Sequence, residues 1–233
     1  MKPDGKCVPT ERARAGEPMA DYAIQRKTMV DNQIRTVDVT DHAVIDAFGT
    51  VGREAFVPEA RGSLAYIDQH VEVAPGRWLM QPAPLARLIQ LALPQAGEKV
   101  LIVGVNTGYS AAIVAELGAT VVALEENADL AARAEAALAG RAGVKLVRGP
   151  LAAGVPAEAP YDLILFDGSI EVVPEAILAQ LAEGGRLVAI EGTGQTGRAQ
   201  VTVKLSGRTS TRFHFNLPAR PLPGFAKARE FAL

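Results

Sequence analysis

Apolar and polar positions recur with two different periods along this chain, and the change of period divides it. Between residues 21 and 37 the apolar side chains Ile24, Val30, Ile34 and Val37 fall at helical spacing among charged neighbours. Thr40 stands where it can cap a second helix carrying Val44, Ile45 and Phe48. Two amphipathic helices are therefore expected first. An irregular segment over residues 53–78 follows, holding Phe56-Val57-Pro58 and Tyr66. A helix begun by Pro82 comes next, with Leu85, Leu88 and Ile89 on one face, and it ends before Pro94 and Gly97.

Beyond Gly97 the apolar runs shorten to strand length, at residues 99–103, 120–124, 144–147, 162–166 and 186–190. Helical stretches at 109–117, 127–138 and 174–181, closed by Gly118, Gly140 and Gly184, separate them. Alternating strand and helix predict parallel strands joined by right-handed crossovers, an α/β doubly wound, Rossmann-like sheet. Residues 201–205 and 209–215 flank Ser206-Gly207, a hairpin signal, so the sheet should finish with an antiparallel pair.

Composition narrows the function classes. With 233 residues, 48% of them hydrophobic, the chain can bury a core of single-domain size. A net charge of -2 offers no electrostatic footprint for nucleic acid or an anionic membrane, and no apolar run reaches membrane-spanning length. The single cysteine, Cys7, fits a reducing compartment such as the cytoplasm. Residues 1–18 are rich in charge, Gly and Pro, and read as a disordered leader before Met19. The expected layout is one domain over 19–233, with a helical, substrate-side segment at 19–95 and the Rossmann-like core at 96–233.

The chemistry should lie at the carboxyl ends of the strands. The run from Val100 to Tyr109 passes from an apolar strand through Gly104, Val105, Asn106 and Gly108 into a helix, a turn that lets backbone approach a nucleotide-type cofactor or that simply connects strand to helix. Glu125, roughly 20 residues on, ends the second strand where a carboxylate can accept from both hydroxyls of a ribose. Asp167 ends the fourth strand and should look into the same crevice, or else serve an Asx turn. No G-K-[ST] run is present to cradle a triphosphate. The three histidines, His42, His70 and His214, lack ligand spacing, so no metal site is expected. Trp78 and Tyr66 either line a substrate cleft or pack over the core.

Ordered landmarks then carry a resemblance. Residues 29–35 (Met-Val-Asp-Asn-Gln-Ile-Arg), Arg53-Glu54-Ala55-Phe56-Val57-Pro58, Ala65-Tyr66, Gln81-Pro82, Thr107-Gly108-Tyr109 and Gly184-Gly185-Arg186-Leu187-Val188 resemble the successive motifs of protein-L-isoaspartate O-methyltransferases, from Met19 to the final hairpin. The resemblance implies S-adenosylmethionine as cofactor and methyl transfer to the free carboxylate of an isoaspartyl protein or peptide, a repair reaction. It places Gly104, Val105, Asn106, Gly108, Tyr109, Glu125, Pro150, Leu151 and Gln81 around the cofactor, and Met80 at the position of a family hydroxyl residue.

Several positions depart from the family pattern: Ile102 stands at an acidic place, Asn106 at a glycine, Pro150 at an aspartate that can bind the adenine amino group, and Met80 at the hydroxyl. Asp167 adds a carboxylate where the family has small residues. Two alternatives follow from these departures. One is a cofactor-poor relative that acts as a binding or assembly module; the other methylates a small hydroxylated molecule with Asp167 as base or metal ligand. A carboxylate acceptor is ionised at neutral pH and needs no strong base, so positioning and water exclusion would carry the rate.

Overall fold

The computed structural model describes residues 21–192 and 196–227. The leader expected over 1–18, with Met19, lies outside them. Asp21 accepts from the N–H groups of Ala23 and Ile24 (both 3.1 Å) and so caps α1, Tyr22–Met29. The predicted single helix over 21–37 is interrupted. A π-turn, Val30–Ile34, widens it, and the chain leaves helical pairing after it. Met29, Val30 and Ile34 are buried whereas Ile24 is 64% exposed, so Ile24 does not join the buried stripe that the sequence pattern assigns it to.

Helix α2, His42–Thr50, is capped by Asp41, which accepts from Val44 N–H at 3.0 Å, and not by Thr40. Thr40 N–H instead donates to Gln90 Oε1 (2.7 Å). Within the segment read as irregular lie two 3₁₀ turns and a small antiparallel hairpin, β1 (Val71–Ala74) and β2 (Arg77–Leu79). Helix α3, Pro82–Ala92, follows as expected, with Leu85, Leu88 and Ile89 fully buried.

The core alternates β3 (Lys99–Val103), α4 (Tyr109–Glu116), β4 (Thr120–Glu125), α5 (Ala128–Leu138), β5 (Val144–Arg148), β6 (Tyr161–Ile170), α6 (Glu175–Leu178), β7 (Leu181–Glu191), β8 (Arg198–Leu205) and β9 (Arg208–Asn216). The sheet order is β5-β4-β3-β6-β7-β8-β9, with parallel pairing from β5 to β7 and antiparallel pairing thereafter. Ser206 and Gly207 both take positive φ (51° and 70°), the conformation a two-residue hairpin turn demands. The helix predicted over 174–181 shortens to α6, because Leu181 already belongs to β7. Gly184 therefore closes no helix.

Side chains of β3 show how the sheet is covered. Val100 and Ile102 face one buried cluster with α2, α3, α4 and α5, while Leu101 and Val103 face a second with Phe166, Leu187, Leu222 and Phe225. At β3 both faces are buried, as the centre of a parallel sheet requires. Among the described residues no helix is long and apolar enough to cross a membrane.

One irregularity positions the site. Strand β6 outruns β3 and shifts register between Leu165 and Ser169. Past Phe166 it has no neighbour on the β3 side, and the chain after β9 takes that place: Ser169 N–H donates to Arg220 C=O (2.9 Å) and Leu222 N–H to Ser169 C=O (2.8 Å).

Candidate active site

After Val103 the backbone turns through three left-handed residues, Gly104 (φ 77°), Asn106 (φ 55°) and Gly108 (φ 100°). Gly104 and Val105 N–H groups both reach Leu124 C=O (2.9 and 3.1 Å), which folds the loop back over the end of β4. Asparagine tolerates positive φ better than most residues, so the loop can take this shape with a side chain at 106. Its side chain gains a use: Asn106 Nδ2 donates to Trp78 C=O at 3.2 Å and ties the loop to the hairpin.

Glu125 sits at the end of β4, fully buried, as its spacing from the loop predicts. Its acceptor capacity is taken by the chain itself. Arg77 clamps it with two parallel bonds, Nη1 to Oε1 (2.6 Å) and Nη2 to Oε2 (2.7 Å). Backbone N–H groups of Asn106 (2.9 Å), Glu126 (3.0 Å) and Asn127 (3.0 Å) complete the shell. Two carboxylate oxygens offer about four lone pairs, and five donors already use them. In this conformation the protein's own donors therefore surround the carboxylate expected to meet ribose hydroxyls.

The loop is covered as well. Leu222 packs on Gly104 and Gly168 so closely that a Cβ added at either would meet it at 2.7 Å. Gly104, Val105, Gly108 and Tyr109 are all buried, and Asn106 is 1% exposed.

Behind the loop lies a polar nest. Asp167, 2% exposed, does face inward and accepts from Ser110 Oγ at 2.6 Å, while its Oδ1 is unpartnered. Burial pushes its carboxyl up to about 6, and Ser110 and Arg53 hold it from rising further. Arg53 is fully buried: Nε donates to Ala65 C=O (2.8 Å), Nη2 to Met80 C=O (2.5 Å), and the guanidinium lies over the Tyr109 ring at 4.8 Å. Desolvation lowers its pKa and raises that of Tyr109. Among the described residues Arg53 Nη1, Tyr109 Oη and Asn106 Oδ1 have no hydrogen-bond partner, a rare arrangement for buried polar atoms.

The remaining expected residues divide. Met80 is buried and contributes its carbonyl to Arg53. Gln81 is half-buried and donates from Nε2 to Asp68 C=O (3.0 Å). Pro150 is exposed, and Leu151 turns into the second apolar cluster, so neither presents a polar group to the loop. Trp78 stacks beneath Arg220 at 4.7 Å, and Tyr66 donates to Glu54 while accepting from Arg53 N–H (3.2 Å).

Sequence reasoning passes over Arg77 and Leu222, and quotes Arg53 and Thr107 as landmarks without giving either a role. Thr107 Oγ1 donates to Phe56 C=O at 2.6 Å and so anchors the loop to residues 53–56. Pro75-Gly76, a turn dipeptide between apolar runs, was the available signal for the hairpin that carries Arg77. Among the described residues no cluster of three His, Cys, Asp or Glu could hold a metal ion.

Comparison with known proteins identifies the family. A family model described as Protein-L-isoaspartate(D-aspartate) O-methyltransferase (PCMT) matches residues 24–216. A protein-L-isoaspartate O-methyltransferase of Methylorubrum populi is 40% identical over 84% of this chain and 90% of its own length. That of Koribacter versatilis is 34% identical over 83% and 88%. A solved structure named protein-L-isoaspartate O-methyltransferase superposes with a TM-score of 0.74 at 24% identity, over 85% of this chain and 66% of its own. A Plasmodium falciparum structure, described as a putative protein-L-isoaspartate O-methyltransferase in complex with S-adenosyl-L-homocysteine, gives 0.70 at 19% identity over 84% and 97%. At those identities the two structures speak for the fold.

Proposed function

The chain belongs to the protein-L-isoaspartate(D-aspartate) O-methyltransferase family, and from that premise we propose that residues 19–233 form one methyltransferase domain acting on isoaspartyl proteins or peptides. It is a methyltransferase whose methyl donor is S-adenosylmethionine. The observation that carries the reading is the left-handed loop at Gly104 and Gly108 facing the carboxylate of Glu125 across the ends of β3 and β4. This pairing suits a nucleoside with a free ribose. Cys7 as the single cysteine supports a reducing compartment, and we place the protein in the cytoplasm.

The donor does not fit the conformation described. Glu125 has no free lone pair, and Leu222 occupies the space that Gly104 and Gly168 leave for a ligand. Transfer therefore belongs to a conformation in which Arg77 and Leu222 have moved. In the open form we assign Glu125 to the ribose and the backbone of Gly104 and Val105 to the methionine portion. Met80 and Asp167 would border the acceptor.

A methyl-transfer assay on paired peptides, one isoaspartyl and one with ordinary aspartate, tests the reading. Methyl incorporation is expected into the isoaspartyl peptide alone. Incorporation into neither peptide, alongside transfer to a small hydroxylated acceptor, would overturn it.

A further inference from the structure

We propose that this protein shuts its own cofactor crevice with two plugs, Arg77 on the β1–β2 hairpin and Leu222 on the strap over residues 217–225, and that these two side chains set its affinity for the methyl donor. The inference rests on the crevice being the donor site, as proposed above.

Each plug replaces one part of a ligand. Arg77 gives Glu125 the two donors that ribose hydroxyls would otherwise supply, in the bidentate geometry that makes guanidinium–carboxylate pairs strong. Leu222 fills the apolar room above Gly104 and Gly168. The plugs are joined, because Arg220 lies over the Trp78 ring at 4.7 Å, and Trp78 follows Arg77 in β2.

The strap is built to come off. Its inward anchors include Ala219, Leu222 and Phe225, while Arg220, Pro221, Pro223 and Gly224 face solvent. Phe225 meets Phe166 edge to face at 5.2 Å, and the backbone bonds of Ser169 and Leu222 hold the centre. Exposed residues alternate with these anchors, so opening the strap breaks separate contacts and not a continuous core. Closure also leaves Asp167 Oδ1, Asn106 Oδ1, Tyr109 Oη and Arg53 Nη1 without partners, which water would supply once the crevice opens. Apparent donor affinity then equals the intrinsic affinity reduced by the open fraction.

Calorimetric titration of the full chain with S-adenosylhomocysteine tests this, comparing wild type, Leu222→Ala, Arg77→Ala and the double variant, with circular dichroism to verify folding. Leu222→Ala is expected to tighten binding by about tenfold, and the double variant by more than either single change. Amide exchange gives a second readout: saturating ligand should speed exchange at Ser169 and Leu222 in the wild type. Wild-type binding that neither variant tightens, with both amides equally or better protected by ligand, overturns the plug and leaves the donor site standing. Absence of binding by every folded variant, the double one included, overturns both and restores the cofactor-poor reading.

Discussion

Arg77 and Glu125, 48 residues apart, form a buried bidentate ion pair at the strand end proposed above to meet the cofactor's ribose. Its energetics are asymmetric. If Arg77 is removed, Glu125 keeps three backbone N–H donors; if Glu125 is removed, Arg77 is left buried without the side-chain partner that clamps it. Leaving a buried charge unpaired costs about 3–5 kcal/mol, whereas a charge that retains several charge-assisted hydrogen bonds loses less. Urea unfolding is expected to show Glu125→Ala destabilised by about 3–5 kcal/mol and Arg77→Ala by about half of that. Equal losses, or the reverse order, would refute the assignment of Glu125 as the better-supported partner.

A second expectation concerns pH. Asp167 ionises near 6 in the folded protein against 3.8 in an open chain, so its contribution to stability is full below pH 3.8 and is lost as pH rises through 6. His70 behaves oppositely. Burial, with Arg220 and Arg53 nearby, lowers it from 6.5 to about 4, so stability present above 6.5 is lost as pH falls toward 4. The two slopes oppose each other in the wild type. Asp167→Asn can still accept from Ser110 and removes only the first slope. It should leave stability nearly unchanged at pH 4 and raise it by about 2–3 kcal/mol at pH 8. The same increment at both pH values would show that Asp167 is not the buried acid described.

How much of this is legible in the sequence depends on the range of the interaction. Strand β3 and the loop to α4 can be read because Val100 to Val103 and the glycines at 104 and 108 are local signals of burial and turn. The position of Glu125 follows from spacing alone. The hairpin β1–β2 does not follow, because strands of four and three residues are too short to establish a period of two. Arg77 reads as an ordinary surface cation, since nothing near it in sequence announces a carboxylate 48 positions away. Leu222, flanked by Pro221 and Pro223, reads as loop. Its burial arises because β6 outruns β3 and leaves backbone groups that the strap satisfies. Long-range completion of an unfinished strand edge has no local signature.

The last expectation concerns the acceptor. If Met80 and Asp167 border the acceptor as proposed, an isoaspartyl carboxylate meets an apolar side chain at Met80 and, at Asp167, a carboxylate still largely ionised at neutral pH. Two unit charges about 4 Å apart repel by roughly 4 kcal/mol at an effective dielectric of 20. Arg53 and Arg77, both felt by Asp167, reduce that figure without removing it. Wild-type turnover on an isoaspartyl peptide should therefore be slow, and Asp167→Asn should raise it by about tenfold or more. Met80→Ser should give a smaller gain, of the size one hydrogen bond supplies. Measuring both in the Leu222→Ala background, as well as alone, separates the acceptor effect from opening of the crevice. Brisk wild-type turnover with no gain in either variant would show that neither Met80 nor Asp167 restrains the acceptor.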